Sequence, residues 1–120
     1  MSVLRKAIAA AASAPEVLPG GSLRRTFRFA PDSPVFLGHF PLRPVLPAMV
    51  QIVMAQATLE DCGHEGVLTG IPQAKFLAPL APEEDLELLV SPGGGPGVWT
   101  CVVQSRAGVA ARFQVETCAG

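Results

Sequence analysis

A chain of 120 residues with 49% hydrophobic content is long enough for one domain with a real core and too short for a second. Its formal charge is −1, and its lysines and arginines are scattered, adjacent only at Arg5-Lys6 and Arg24-Arg25. That distribution excludes a cationic face suited to a phosphate backbone, so no nucleic-acid partner is expected. Cys62, Cys101 and Cys118 are odd in number and widely spaced, which fits reduced thiols of a cytoplasmic protein better than a disulfide framework.

In chain order, residues 3–13 read as a helix ended by Pro15, and Pro19-Gly20-Gly21 as a turn. Arg5-Lys6, the run Ala7 to Ala12 and the small residues Ala12-Ser13-Ala14 imitate a secretory signal. The run is short and mostly alanine, so the expectation is an ordinary amphipathic helix. Residues 22–30 alternate, with Leu23, Phe27 and Phe29 against Arg24, Thr26 and Arg28, as a half-buried strand does. A loop over 31–34 and a short extended piece over 35–37 follow. Pro41, Pro44 and Pro47 then forbid regular structure and stiffen the approach to the next helix.

From Ala48 to about Asp61 the pattern is helical, but Met49, Val50, Ile52, Val53, Met54, Ala55, Ala57 and Leu59 surround it on nearly every side. A helix apolar all round is expected to be buried. Its apolar stretch of about twelve residues falls short of the roughly 20 needed to span a bilayer, so no membrane association is expected. Strands are expected over 67–77, 85–91, 98–105 and 109–117, separated by Pro79 and Pro82, by 92–97, and by Ala107-Gly108. One buried helix among several long strands gives an α+β fold, a single antiparallel sheet wrapped around the helix. Residues 1–120 form one domain on this reading, with an N-terminal helix and turn over 1–20 and the sheet and central helix over 22–118.

The chemistry-bearing residues are few. His39 stands in Gly38-His39-Phe40-Pro41 ahead of an apolar helix, and an imidazole is the side chain whose ordinary pKa lies near neutrality. Gln51 and Gln56 are polar on a buried helix and need partners, in structure or in a ligand. His64, in Cys62-Gly63-His64-Glu65, reads as a surface loop residue because Cys-x-His is too tight and isolated for a metal site; no metal is expected. Cys101 and Cys118 read as small core residues, Met49 and Met54 as packing that also suits an apolar tunnel. Glu83-Glu84-Asp85 reads as a solvated turn.

The segment Phe36-x-Gly38-His39-Phe40-Pro41-x-x-Pro44-Val45-Leu46-Pro47 resembles the signature of the β-hydroxyacyl-acyl-carrier-protein dehydratases of the hotdog fold. Ala74-Lys75-Phe76-x-x-Pro79-x-x-Pro82 resembles the family's strand and turn after the central helix, and Ala107-Gly108-Val109 its C-terminal strands. Nearly the whole chain from Ser22 onward is covered. Within the family, Pro47-Ala48-Met49-Val50-Gln51-Ile52 is most similar to the small dehydratases of aryl-polyene and other type II polyketide assembly lines.

The resemblance implies a hotdog fold, a lyase that forms a 2-enoyl thioester in fatty acid or polyketide biosynthesis, and at least a dimer. No cofactor is implied, since the substrate rides on the phosphopantetheine of an acyl carrier protein, or on coenzyme A. Dehydration needs a base for the C2 proton, polarisation of the thioester carbonyl, and an acid for the departing C3 hydroxyl. By resemblance His39 is the base, and backbone N–H groups near Ala48 and Met49 hold the carbonyl. Gly38, Phe40, Pro47, Ala48, Met49, Val53 and Gln56 are the corresponding substrate-binding positions. The family usually has glycine where this chain has Ala48.

The family's Asp or Glu lies fourteen residues after the histidine, which here is Val53. Shifting the alignment by one residue brings Ile52 or Val53 to the site, again without an acid. Glu60 lies near the same helical face but about 10.5 Å farther on at 1.5 Å per residue. Three readings remain open. One is a 3-hydroxyacyl-thioester dehydratase working with a donor from elsewhere. Another is a non-catalytic subunit, or a heterodimer partner, that binds acyl thioesters. The third is a hotdog thioesterase, against which Gly-His-Phe-Pro argues.

Overall fold

The computed structural model describes residues 2–36, 43–64 and 66–118. Two helices, α1 (Val3–Ala11) and α2 (Ala48–Asp61), accompany seven strands: β1 (Glu16–Val17), β2 (Leu23–Phe27), β3 (Val67–Gly70), β4 (Ala74–Phe76), β5 (Leu86–Pro92), β6 (Val98–Ser105) and β7 (Gly108–Cys118). The strands form one antiparallel sheet in the order β1-β2-β5-β6-β7-β3. Strand β4 shares β7 with β3: Ala74–Phe76 pair with Ala111–Phe113, while Val67 and Leu68 pair with Cys118 and Thr117.

Alternation decides which face of the sheet is buried. Leu23, Phe27, Leu86, Leu88, Val90, Cys101, Val103, Ala111, Phe113 and Val115 all point inward and join Val50, Met54, Ala55 and Leu59 of α2 in one core. The register keeps like with like across the strands, as in Leu23↔Val90↔Cys101↔Phe113. The expected α+β architecture, a sheet curved around a central helix, is what the chain adopts.

Several local expectations need correction. Helix α1 stops at Ala11, before Pro15 acts, because Ala12 is already extended and bridges to Phe27. The Arg28 N–H donates to the Ala11 carbonyl and the Ser13 N–H to Thr26, so sheet pairing ends the helix. Strand β1 was not expected: two residues before the Gly20-Gly21 turn pair with Leu23 and Arg24. Both glycines have positive φ, 87° and 90°, which suits the tight reversal. The expected extended piece over 35–37 is a 3-10 turn over Pro34–Phe36 that buries Val35 and Phe36; Leu37 lies outside the described residues.

The strand expected over 67–77 is two strands, interrupted at 71–73. The register of β3 on β7 shifts between Leu68 and Gly70 just before the interruption, and β4 ends beside a bulge in β7, where pairing skips from Val103↔Ala111 to Gln104↔Val109. The bulge residue Ala110 accepts both the Leu77 and Ala78 N–H groups at 2.8 and 3.1 Å, so the chain leaving β4 is bonded there instead of to the ladder. Cys101 is buried as expected, but Cys118 is exposed at the end of β7.

Helix α2 also departs from expectation. It is buried along one stripe, Val50, Gln51, Met54, Ala55, Thr58 and Leu59, which is the i, i+1, i+4, i+5 spacing of one helical face. The opposite stripe, Met49, Val53, Gln56, Ala57 and Glu60, is partly or fully open, with Met49 64% exposed. All-round apolarity therefore reflects two surfaces rather than complete burial within one chain.

Gly97 turns the chain into β6 with φ of 73°, and a Cβ there would collide with the Thr117 carbonyl, while Gly94 faces open space. Gly97→Ala is expected to cost at least about 2 kcal/mol, because strain and collision add, and Gly94→Ala within about 0.5 kcal/mol. Urea unfolding of the two variants checks this; equal midpoints would show that the turn can relax.

Candidate functional site

The N-terminus of α2 is the place to which Pro44 to Pro47 deliver the chain. Leu46 is buried and its N–H donates to the Leu80 carbonyl at 2.8 Å, which fixes the approach from one side. Pro47 is the N-cap, extended at φ −64° and ψ 151°, and offers no side-chain cap. The first backbone bond of the helix runs from the Gln51 N–H to the Pro47 carbonyl at 3.3 Å. The N–H groups of Ala48, Met49 and Val50 therefore have no backbone acceptor among the described residues. Ala48 and Met49 are exposed, so these donors and the positive end of the helix dipole face outward. That is the arrangement needed to hold a carbonyl oxygen on which negative charge develops. Ala48 is helical with negative φ, so it supplies the same N–H as the family's glycine without strain.

Of the sequence-predicted positions, Pro47, Ala48, Met49, Val53 and Gln56 lie on this helix or at its cap, and Met49, Val53 and Gln56 share the outward stripe. Gly38, His39 and Phe40 lie outside the described residues. Gln51 belongs to the buried face instead. Its Nε2 reaches the Leu46 carbonyl at 3.5 Å, and its Oε1 has no partner among the described residues. This is a weakly satisfied amide at the foot of the helix.

No carboxylate stands where the family acid belongs. Val53 is half-buried on the open stripe. Glu60 is held at the other end of the helix, where the Arg5 Nη1 of α1 donates to its Oε1 at 2.7 Å. Asp61 is held by Arg25, a residue whose importance the sequence did not signal. Arg25 lies on the inward face of β2, 8% exposed, between Leu23 and Phe27. Its Nε donates to the Ser13 carbonyl at 2.8 Å and its Nη1 to Asp61 Oδ2 at 2.8 Å, with the guanidinium 5.7 Å from the centroid of the Phe27 ring. Arg5, Arg25, Glu60 and Asp61 line a cleft of about 210 Å³ with Ile8 and Ala57. Only the adjacent inward phenylalanines and the missing apolar residue at position 25 hinted at a buried ion.

A larger cleft, about 530 Å³, lies between the end of α1, β2 and the β6–β7 turn, lined by Thr26, Arg28, Asp85, Glu87, Gln104 and Arg106 among others. It holds none of the predicted site residues. Three of its four charged residues are engaged, Arg28 with Asp85 at 3.1 Å and Glu87 with the Gln104 amide at 3.0 Å. Size alone does not make it the site. Two of the thiols are poor nucleophiles: burial pushes Cys101 up to about 12 and also raises Cys62. His64 is exposed and lies edge-on to Trp99, 4.7 Å between ring centroids, as a surface loop residue does.

Comparison with solved structures gives the class of fold. The chain matches the dehydratase heterocomplex ApeI:P from Xenorhabdus doucetiae with a TM-score of 0.79 at 22% identity, over 87% of this chain and 93% of that one. It also matches the E. coli PaaI protein of the phenylacetic acid degradation operon with a TM-score of 0.68 at 15% identity, over 95% and 86%. The sheet around a central helix is thus the hotdog fold. The ApeI-like model, described as ApeI dehydratase, matches residues 17–110, and the chain belongs to that family.

Among curated proteins, it is 33% identical over 94 residues to the 3-hydroxyacyl-[acyl-carrier-protein] dehydratase FabZ of Deinococcus radiodurans, covering 70% of this chain and 65% of that one. The same-named protein of Haemophilus influenzae is 32% identical over 98 residues, covering 74% and 60%. The chain thus spans less than two thirds of the length of these curated relatives. Among the described residues no helix is long and apolar enough to cross a membrane.

Arg25 and Arg5 give a direct comparison of buried and exposed ion pairs. Asp61→Ala strands a side chain that is 9% exposed, whereas Glu60→Ala releases one 29% exposed. The expected losses in urea-unfolding stability are about 2–3 kcal/mol and at most about 1 kcal/mol respectively. Equal losses would mean that Arg25 finds another acceptor.

Proposed function

We propose that this chain is a subunit of a 3-hydroxyacyl-thioester dehydratase that forms a 2-enoyl thioester in fatty acid or polyketide biosynthesis. The substrate is carried on the phosphopantetheine of an acyl carrier protein, so the chain needs no cofactor of its own. The observation that carries this reading is the N-terminus of α2, directly after the Pro44–Pro47 approach, where the Ala48 and Met49 N–H groups have no backbone acceptor among the described residues. Membership of the ApeI-like family and the similarity to proteins named FabZ support it.

In the mechanism, His39 takes the C2 proton while the Ala48 and Met49 N–H groups hold the thioester oxygen as charge moves onto it. The C3 hydroxyl then leaves with a proton from an acid. Val53 cannot donate that proton, Glu60 is tied to Arg5, and an amide such as Gln56 orients a hydroxyl without protonating it. The acid comes from a related hotdog subunit whose central helix faces His39, so the working unit is a heterodimer. The open stripe Met49, Val53, Gln56 and Ala57 supports this, since an apolar helix face is covered in the functional assembly. A heterocomplex of the ApeI:P kind is the precedent among similar structures. The second reading, a homodimer that binds acyl thioesters without turnover, is favoured by Val53 alone.

Purified chain should convert a 3-hydroxyacyl carrier-protein thioester about 10²–10⁴-fold more slowly than the same chain mixed with its related subunit, the usual range for loss of a general acid. His39→Ala in the mixture abolishes the gain, and Val53→Glu restores activity to the chain alone. Full activity of the unmixed wild type contradicts the heterodimer. No activity in any combination, with folded protein, leaves the binding subunit as the correct reading.

A further inference from the structure

The cleft of about 210 Å³ between α1 and the far end of α2 takes no part in the base, oxyanion or acid chemistry. Ala57 lines it and also belongs to the open stripe of the helix, one turn beyond Val53 and two beyond Met49. The cleft therefore continues the apolar surface that starts at the proposed oxyanion donors. From Met49 to Ala57 that surface runs about 12 Å, at 1.5 Å per residue. Another wall is α1, through Arg5 and Ala9, and α1 lies outside residues 17–110 that match the family model. The end of the groove is thus built by a segment that the family match does not cover.

Where the stripe is apolar, the cleft is polar. Arg5 pairs there with Glu60 at 2.7 Å and Arg25 with Asp61 at 2.8 Å, so two cations and two carboxylates cancel. Arg25 is 8% exposed; its Nε and Nη1 are held by Ser13 and Asp61, while its Nη2 has no acceptor among the described residues. A buried guanidinium donor is costly to leave unmet. Because the surrounding charges already balance, the group suited to meet it is a neutral acceptor rather than an anion. We propose that the cleft receives the far end of the substrate's acyl chain, and selects 3-hydroxyacyl thioesters of about ten carbons that carry an oxygen acceptor at that end. The inference deepens the dehydratase reading and rests on it: the Ala48 and Met49 N–H groups hold the thioester, and the chain runs along the stripe, between the helix and the partner that covers it. A plain methyl end would reach the same place with Nη2 still unmet and the ion pairs partly desolvated.

The test is turnover of 3-hydroxyacyl pantetheine thioesters by the chain mixed with its related subunit, at chain lengths of about six and about ten carbons. Each length is supplied as the plain chain and as the same chain with an ether oxygen in place of its last methylene group. At the longer length the wild type should prefer the ether in kcat/KM by about fivefold or more, because a site built to bond an oxygen rejects the analogue without it. At the shorter length, which does not reach the cleft, the two should agree within about twofold. Arg25→Lys keeps a cation for Asp61 and removes the free Nη2 donor. Ala9→Phe fills the cleft from the exposed side of α1, and decides the matter if the lysine variant does not fold. Each folded variant should lose the preference at the longer length and keep turnover of the short plain chain within about twofold. A wild type without the preference, or a preference that survives in the folded variants, overturns the cleft assignment alone. Failure of the wild-type mixture to turn over even the short plain chain overturns the dehydratase reading, and this inference with it.

Discussion

The packing of one stripe of α2 into the concave side of the sheet is the contact on which everything else depends. Met54 and Ala55 are fully buried against Leu88, Val90, Cys101, Val103 and Ala111, which are also fully buried. At about 25 cal/mol per Å² of apolar surface, this contact is the main favourable term available to so small a chain. It fixes the rotation of the helix, and rotation settles the rest: once Val50, Met54 and Leu59 face the sheet, Met49, Val53 and Gln56 must face away. The helix therefore has a structural side and a chemical side.

The chemical side is incomplete in a defined way. The Ala48 and Met49 N–H groups, without a backbone acceptor among the described residues, are the proposed oxyanion donors and His39 the proposed base, while the open stripe carries no carboxylate but Glu60, which is paired with Arg5. The carboxylates at the far end of α2 serve the fold. Glu60 ties α1 to α2, and Asp61 neutralises Arg25, which would otherwise be an unpaired cation in the core. Replacing Val53 by a carboxylate would not disturb either pair, which is why the missing acid is a local property of one position.

Much of this was legible in the sequence. Alternation in residues 22–30, 98–105 and 109–117 gave β2, β6 and β7 nearly in full, and the proline spacing with Gly-His-Phe-Pro identified the family and pointed to the helix proposed to bear the site. What escaped was decided by tertiary pairing. Strand β1 has only two residues and exists because Leu23 and Arg24 offer an edge. The break between β3 and β4 accompanies a register shift between Leu68 and Gly70 in their pairing with β7, a strand distant in sequence. Arg25 sat at an inward position that alternation marks as apolar, and its acceptor Asp61 lies 36 residues away. The open stripe of α2 was misread as burial because composition reports apolarity without saying which surface covers it.

The central claim is that this chain holds the base and the oxyanion-stabilising helix end of a dehydration site, and lacks the acid. Proton exchange at C2 isolates that half of the chemistry from loss of water. Purified protein incubated in D₂O with a 3-hydroxyacyl thioester should incorporate deuterium at C2 without matching formation of enoyl product, and His39→Ala should remove the exchange. Absence of exchange by folded wild-type protein, or elimination that keeps full pace with exchange, would contradict the account.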